Sequence, residues 1–362
     1  MKAYFTRTRI IWITLGVAAL VIRQLLVQTP ELVEQYYSRG LFQGIRWFID
    51  YVLAWLPIPL IYIFWLIVIA WFFWQARGLY LAEKSILNKA LTFVISTLAF
   101  ISGVVFFFLI LWGYNYIRQP IEQQLEITTS PLTTNELQKE LELETLALLK
   151  LRPQIDTPTD SAFTERNLPD RLEPKVRLLL ESWLDNYGFP TTGRVRGRLL
   201  YPKGVFLHFS SLGLYFPLTG EGHIDAGIHP VQLPHVMAHE MSHGYGFGDE
   251  GTCNFLAYVS CIQSDNPAIA YAGHLGYWRT VASNFRRADP EAYRVFFKEL
   301  PESIKADLYA IRDNYMLYPD WMPRLRNNAY EVYLKSQGIK EGMKNYSRVL
   351  MLVKAWRATK KI

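Results

Sequence analysis

Three long apolar runs dominate the first third of the chain, and a mixed polar and apolar pattern fills the rest. The first run starts at Ile10, reaches about Ile22 and continues past Arg23 through Leu25, Leu26 and Val27. The second runs from about Tyr51 to Trp74 and the third from about Ala90 to Tyr114. The last two reach the ~20 residues that a helix needs to cross a bilayer. The uninterrupted part of the first is shorter, and Arg23 can extend its charged head to the interface. Lys2, Arg7 and Arg9 resemble a signal-peptide leader, but Arg23-Gln-Leu-Leu-Val-Gln28 offers no small-residue cleavage pattern, so the segment is expected to be retained. The pattern therefore predicts a transmembrane anchor over residues 1–116, with helices near 10–27, 51–74 and 90–114, followed by a soluble domain over 117–362.

The flanking charges orient these spans. Lys2, Arg7 and Arg9 precede the first, and Arg77, Lys84 and Lys89 lie between the second and third. Cationic loops stay in the cytoplasm, so three spans place everything after Tyr116 outside it. The intervening loop carries Glu31, Glu34, Arg39, Arg46 and Asp50. Its Leu32, Tyr36, Tyr37, Leu41, Phe42 and Trp47 predict a helix lying against the bilayer.

In the second part, Thr133-x-x-Glu136 is a capping box that opens a helix with Leu137, Leu141 and Leu148 on one face. Another helix is expected from Glu173 to Tyr187, stopped by Gly188. Strand-like segments follow at Gly193–Tyr201, Gly204–Phe209, Gly213–Pro217 and Gly222–Ile228, punctuated by Gly and Pro. Within the first of these, Arg194, Arg196 and Arg198 alternate with uncharged residues and predict one solvated strand face. A helix through His239, another from Thr252 to Gln263 and a mostly helical C-terminal third complete the order. Helices, then strands, then helices argue an α+β fold: a small β-sheet plus active-site helices.

The net charge of +6 is spread along the chain and partly flanks apolar segments, which favours a bilayer partner over nucleic acid. Cys253 and Cys261 lie eight positions apart on one predicted helix, about 12 Å along its axis, too far for a disulfide. They read as core residues.

The chemistry lies in His239-Glu240-Met241-Ser242-His243. Histidines four apart on a helix present both imidazoles to one metal, and the intervening Glu can serve as general base. Pro230 to Pro234 suits the start of that helix, and Val236, Met237 and Met241 give it an apolar side. Gly244, Gly246 and Gly248 allow the chain to turn back toward the metal. Two acidic residues compete for the third ligand position. Asp249 fits the metzincin spacing, while Glu250 with Asn254 one turn later resembles the gluzincin pattern, in which the residue four on supports a ligand His. Glu250 is favoured because Asp249 also suits an N-cap. Met316 and Met322 are the available residues for a metzincin Met-turn, and neither stands out. Strands at Leu214–Pro217 and His223–Ala226 offer an edge for extended substrate. His223, His229 and His235 read as structural, with His235 on the same helix face as His239. Tyr271, His274 and Tyr330 are candidate oxyanion stabilisers. The imidazole and carboxylate set suits zinc, with iron and manganese as alternatives.

The stretch from Gly213-Leu-Tyr-Phe-Pro-Leu-Thr-Gly-Glu-Gly-His-Ile224 through the histidine motif to Asn254-Phe-Leu-Ala-Tyr258 resembles the DUF3810 family of bacterial proteins. The resemblance implies a membrane-anchored zincin-like protein of the bacterial inner membrane. It implies His239 and His243 as zinc ligands, Glu240 as base, and the Glu250–Asn254 segment as the source of the third ligand. The pattern departs locally: members carry a Glu closely followed by Ala-Asn-Phe, whereas Gly251-Thr252-Cys253 separate Glu250 from Asn254 here. The expected function is a zinc metallohydrolase, a gluzincin-like peptidase acting on a protein or peptide. The competing expectation is an inactive zincin-fold scaffold or sensor. An intramembrane protease is disfavoured, because the motif lies far from any apolar span.

Overall fold

Pro57 and Pro59 decide where the second apolar helix begins. Proline lacks a backbone N–H and drives its predecessor into extended conformation, so the chain breaks through residues 55–59. The computed structural model describes residues 4–53, 55–83, 85–155, 161–324, 327–328, 331–332 and 347–360. Three of its helices are long and apolar enough to cross a membrane: α1 (Arg7–Leu26), α3 (Leu60–Leu81) and α4 (Ile86–Leu111). The second starts nine residues later than the apolar run and continues beyond Arg77, because helix geometry persists through a charge but not through the two prolines. The third starts at Ile86, where the Ser85 hydroxyl accepts the Asn88 N–H at the N-terminus.

Between α1 and α3, residues 30–53 form a helical stretch, α2, with loosely wound π-helical turns at Val33–Leu41 and Ile49–Leu53. Its polarity is the reverse of an ordinary surface helix. Glu34, Ser38, Arg46 and Asp50 are buried, and Leu32, Tyr36, Leu41 and Trp47 are exposed. The apolar side expected to face lipid is thus largely outward, but Tyr37 and Phe42 turn in and join a core with Leu109, Trp112, Ile117 and Tyr215. That core straddles residues 116 and 117, so the anchor and the rest of the chain share packing.

The second part is mostly helical around one small sheet. Thr133 and Glu136 form the capping box of α5 (Thr134–Leu151), which buries Leu137, Leu141 and Leu148. Helix α6 (Leu172–Asn186) is followed by Gly188 at φ +70°. Strands β1 (Gly197–Leu200), β2 (Gly213–Phe216) and β3 (Glu221–Asp225) form a sheet in the order β1-β3-β2. β1 runs parallel to the central β3, and β2 runs antiparallel to it as an edge. The expected strand at 204–209 does not form. The Asp225 carboxylate instead accepts the N–H groups of Gly204, Phe206, Leu207 and Gly227 at 2.8–3.1 Å, gathering them around one anion.

The arginine alternation is also not one solvated face. Arg198 is buried and donates to Glu221 at 2.5 Å and to the Leu56 carbonyl. Arg196 pairs with Glu173 at 2.7 Å. Beneath the sheet lies α7 (Leu233–Gly244), followed by α8 (Glu250–Cys261), α9 (Pro267–Ala288), α10 (Pro290–Glu299), α11 (Glu302–Met316) and α12 (Arg348–Lys360). The sheet approaches α7 through glycines. A Cβ at Gly222 would meet the Glu240 Cβ at 2.8 Å, and one at Gly213 would meet the Glu240 Oε1 at 2.6 Å.

Two contacts tie the anchor to this layer. Trp112, directly after α4, donates its indole N–H to the His243 carbonyl at 2.7 Å. Arg46 of α2 forms a two-pronged pair with Asp50 and donates to the Tyr215 hydroxyl and the Gly220 carbonyl. Asp50 in turn accepts the Arg194 N–H at 2.7 Å. Both charges are almost wholly buried, at 1% and 0% exposure, so loss of either strands the other. Asp50→Ala is expected to destabilise the protein by about 3–5 kcal/mol. Thermal unfolding in detergent micelles checks this, and an unchanged melting temperature would refute it.

Candidate metal centre

Helix α7 presents His239 and His243 on one face because four residues make just over one turn. Their rings lie 4.9 Å apart between centroids, with planes at 80°. Gly246, at φ +86°, lets the chain reverse after the helix. Phe42 and Asn115 crowd that glycine from the anchor side. Asp249 then caps α8, accepting the Thr252 N–H at 2.6 Å, and its other oxygen takes a guanidinium N–H of Arg348 at 2.9 Å. With Asp249 committed to the cap, Glu250 in the first turn of α8 is the carboxylate that meets the two imidazoles. Its Oε2 lies 3.2 Å from His239 Nε2 and 3.7 Å from His243 Nε2.

One ligand atom from each of His239, His243 and Glu250 lies within 4.8 Å of the other two. Donors bound tetrahedrally at 2.0–2.1 Å are separated by ~3.3 Å, so this set fits a divalent cation with small adjustment. Each ring is anchored from behind. His239 Nδ1 lies 3.1 Å from Asn254 Oδ1, and His243 Nδ1 lies 2.8 Å from the Phe247 carbonyl. With the protons on Nδ1, both Nε2 lone pairs are free for an ion.

Glu240 stands beside this set without belonging to it. It is buried, and the Tyr215 backbone N–H of edge strand β2 donates to its carboxylate. Burial pushes its pKa up, against the pull of His239, His243 and that N–H, while Glu250 adds to the rise. Burial also works against the charge on Glu250, but His243 and His239 outweigh it and hold the carboxyl well below its ordinary value. Burial disfavours a charged His243, yet Cys253 and Glu250 overcome it and raise its pKa well above 6.5.

The other expected candidates lie elsewhere. His223 is buried in β3 and pushed down to about 3 by burial, with Arg198 adding to the shift. His229 accepts the Val231 N–H at the start of a short turn. His235 sits one turn before His239 and is lowered to about 3, chiefly by burial. Tyr271 is committed to Asp307 at 2.6 Å and His274 to Glu144 at 2.8 Å, so both serve the core. Tyr330 lies outside the described residues. Met316 is 74% exposed and Met322 is also exposed, so neither packs beneath the cluster.

Both cysteines are free and buried. Cys253 is more than core: its Sγ lies 3.3 Å from both His243 Nδ1 and the Phe247 carbonyl. Burial raises its pKa to about 11, against the pull of His243. Its place ten residues after His243 gave no signal of this. Trp112 was equally hidden, reading only as the end of an apolar run, yet its indole packs edge-on to His243 at 6.2 Å.

The chain belongs to DUF3810, a family of proteins of unknown function, whose profile matches residues 37–354. No curated protein and no solved structure matches the chain.

Removing a donor should empty the cluster in a graded way. His239→Ala and Glu250→Ala are expected to abolish stoichiometric metal in the purified full-length protein. Asn254→Ala is expected to weaken affinity by about 10–100-fold, since it only orients His239. Protons compete for the same Nε2 atoms, so the apparent affinity is expected to weaken as the pH falls. Elemental analysis and competition titration across a pH series measure both effects. Metal content indifferent to these substitutions would refute the assignment.

Proposed function

We propose that the protein is a membrane-anchored zinc hydrolase of the zincin type, acting as a peptidase. The observation that carries this reading is the placement of Glu240: a buried carboxylate adjoining two imidazoles and a carboxylate, yet outside their converging atoms. A purely structural metal would not require a base there. His239, His243 and Glu250 hold the ion, and the mixed nitrogen and oxygen set suits zinc. Bound there, zinc polarises a carbonyl and acidifies water toward a pKa of about 7. Glu240 takes the proton released as water adds to the amide carbon, and delivers it to the departing amine as the C–N bond breaks. The Tyr215 N–H keeps the carboxylate facing the reacting group. Edge strand β2, which carries that N–H, supplies backbone hydrogen bonds to an extended peptide.

The three apolar helices anchor the chain in the bacterial inner membrane. The charge pattern of their flanks puts the catalytic part outside the cytoplasm. Trp112 links the end of the third span directly to the His243 turn, so the centre works close to the bilayer surface. Protease protection in spheroplasts tests this orientation: the catalytic part should be digested from outside, and its protection would contradict it.

Glu240→Gln separates the enzyme from an inactive zincin-fold scaffold. In proteoliposomes, the variant is expected to keep its zinc while peptide-library hydrolysis falls at least about 10²–10⁴-fold. A parent protein that binds zinc and cuts nothing would favour the scaffold, as would a variant that cuts at the parent rate.

A further inference from the structure

A second feature adjoins the metal centre on the side of the His239 Nδ1 atom. A cavity of about 810 Å³ is lined by residues including Leu212, Gln232, His235, Asn254, Arg279 and Arg287. Asn254 is the residue that holds His239, and His235 lies just over one turn, about 6 Å along the axis, before it. Leu212 immediately precedes Gly213, where a Cβ would meet Glu240 Oε1 at 2.6 Å. The cavity therefore abuts the back of the His239 ring through Asn254 and His235, while His239, Glu240, His243 and Glu250 themselves do not line it.

Its charge is one-sided. Two guanidinium groups line it, and no Asp or Glu does among the described residues. The half-buried Arg279 has no carboxylate partner among them; its guanidinium faces the Tyr315 ring at 5.9 Å. Among the described residues Arg287 donates to neutral oxygens, the Ser283 carbonyl and Asn284 Oδ1. Two buried polar atoms in the lining lack a hydrogen-bond partner among the described residues: Gln232 Oε1, on a residue only 6% exposed, and His235 Nδ1. Gln232 is held from its other end, where Nε2 donates to the Tyr315 hydroxyl at 3.2 Å. Unsatisfied buried polar atoms beside an uncompensated cation cost free energy that a matching ligand recovers. A peptide supplies N–H groups for the former and a carboxylate for the latter.

We propose that this cavity is a carboxylate-selecting subsite, with Arg279 anchoring an acidic group of the peptide substrate and Gln232 and His235 receiving its backbone. This rests on the peptidase reading of the centre and deepens it to a substrate class: peptides bearing a carboxylate. The carboxylate is either an acidic side chain or the chain terminus. Arg279 is a specificity residue in this account, and Arg287, at the exposed rim, contributes by steering.

The test is binding, so that it does not depend on turnover. Zinc-loaded full-length protein carrying Glu240→Gln, in nanodiscs, is titrated with three fluorescent hexapeptides and followed by anisotropy. One is neutral and amidated, one carries an internal Glu and an amidated end, and one is neutral with a free C-terminal carboxylate. At least one acidic probe is expected to bind about 10–100-fold tighter than the neutral one, and which probe gains identifies the source. Adding Arg279→Gln is expected to erase that preference without lowering zinc content or weakening the neutral probe. Equal binding of all three probes with Arg279 intact overturns the proposal without recourse to any further variant. Retention of the preference in a zinc-replete Arg279→Gln protein overturns it too. Failure of the peptidase reading has a different signature: unmodified protein that hydrolyses no peptide, whatever these probes do.

Discussion

Two imidazoles and a carboxylate converge on one point only if each ring is prevented from turning away, and that constraint organises the candidate centre. An unsupported His pair on a short helix samples several rotamers, most of which point the Nε2 atoms apart. Here Asn254 fixes one ring, and the Phe247 carbonyl with the Cys253 thiol fixes the other. All three come from the turn after α7 or from α8, the helix that also supplies Glu250. The carboxylate and the ring supports therefore arrive on one segment, and the packing of α8 against α7 sets the geometry of the cluster. The same pair of helices makes the centre sensitive to the core, since Phe255, Leu256, Ala257 and Tyr258 on α8 are fully buried.

The anchor is part of this scaffold. The polar side of α2 is buried, Arg46 holds the β2–β3 turn, and the Trp112 indole holds the carbonyl of His243. A helix with polar groups inward and large apolar residues outward suits a place where the outer side meets lipid. Buried ion pairs such as Arg46–Asp50 add little net stability over apolar packing. Their directional bonds specify how the anchor sits on the sheet. On the hydrolase reading, this places a cutting site at the membrane surface with a cationic cavity on the side of His239.

Much of this was legible in the chain. The spacing of His239 and His243, the glycine exit and the capping role of Asp249 are local, and local chemistry is what a sequence expresses directly. The preference for Glu250 followed from that same cap. The three apolar helices were equally plain, but their limits were not. Apolar content continues through residues 51–59, whereas Pro57 and Pro59 stop the backbone. The expected strand at 204–209 failed for a non-local reason: Asp225 draws in its N–H groups, and nothing within those six residues signals a distant carboxylate. Arg198, read as solvated, is paired with Glu221 on the adjacent strand, a contact that depends on strand order. Trp112, Cys253 and Tyr215 became visible as supports of the centre only in three dimensions, because each acts on a residue far along the chain or across an element.

The most direct measurement is zinc K-edge X-ray absorption on the full-length protein in nanodiscs. The account predicts a four-coordinate ion with two imidazole nitrogens near 2.0–2.1 Å and oxygen completing the shell, with one oxygen lost in Glu250→Ala. A sulfur neighbour from Cys253, or an ion without imidazole scattering, would contradict the proposed centre and with it the role given to Glu240.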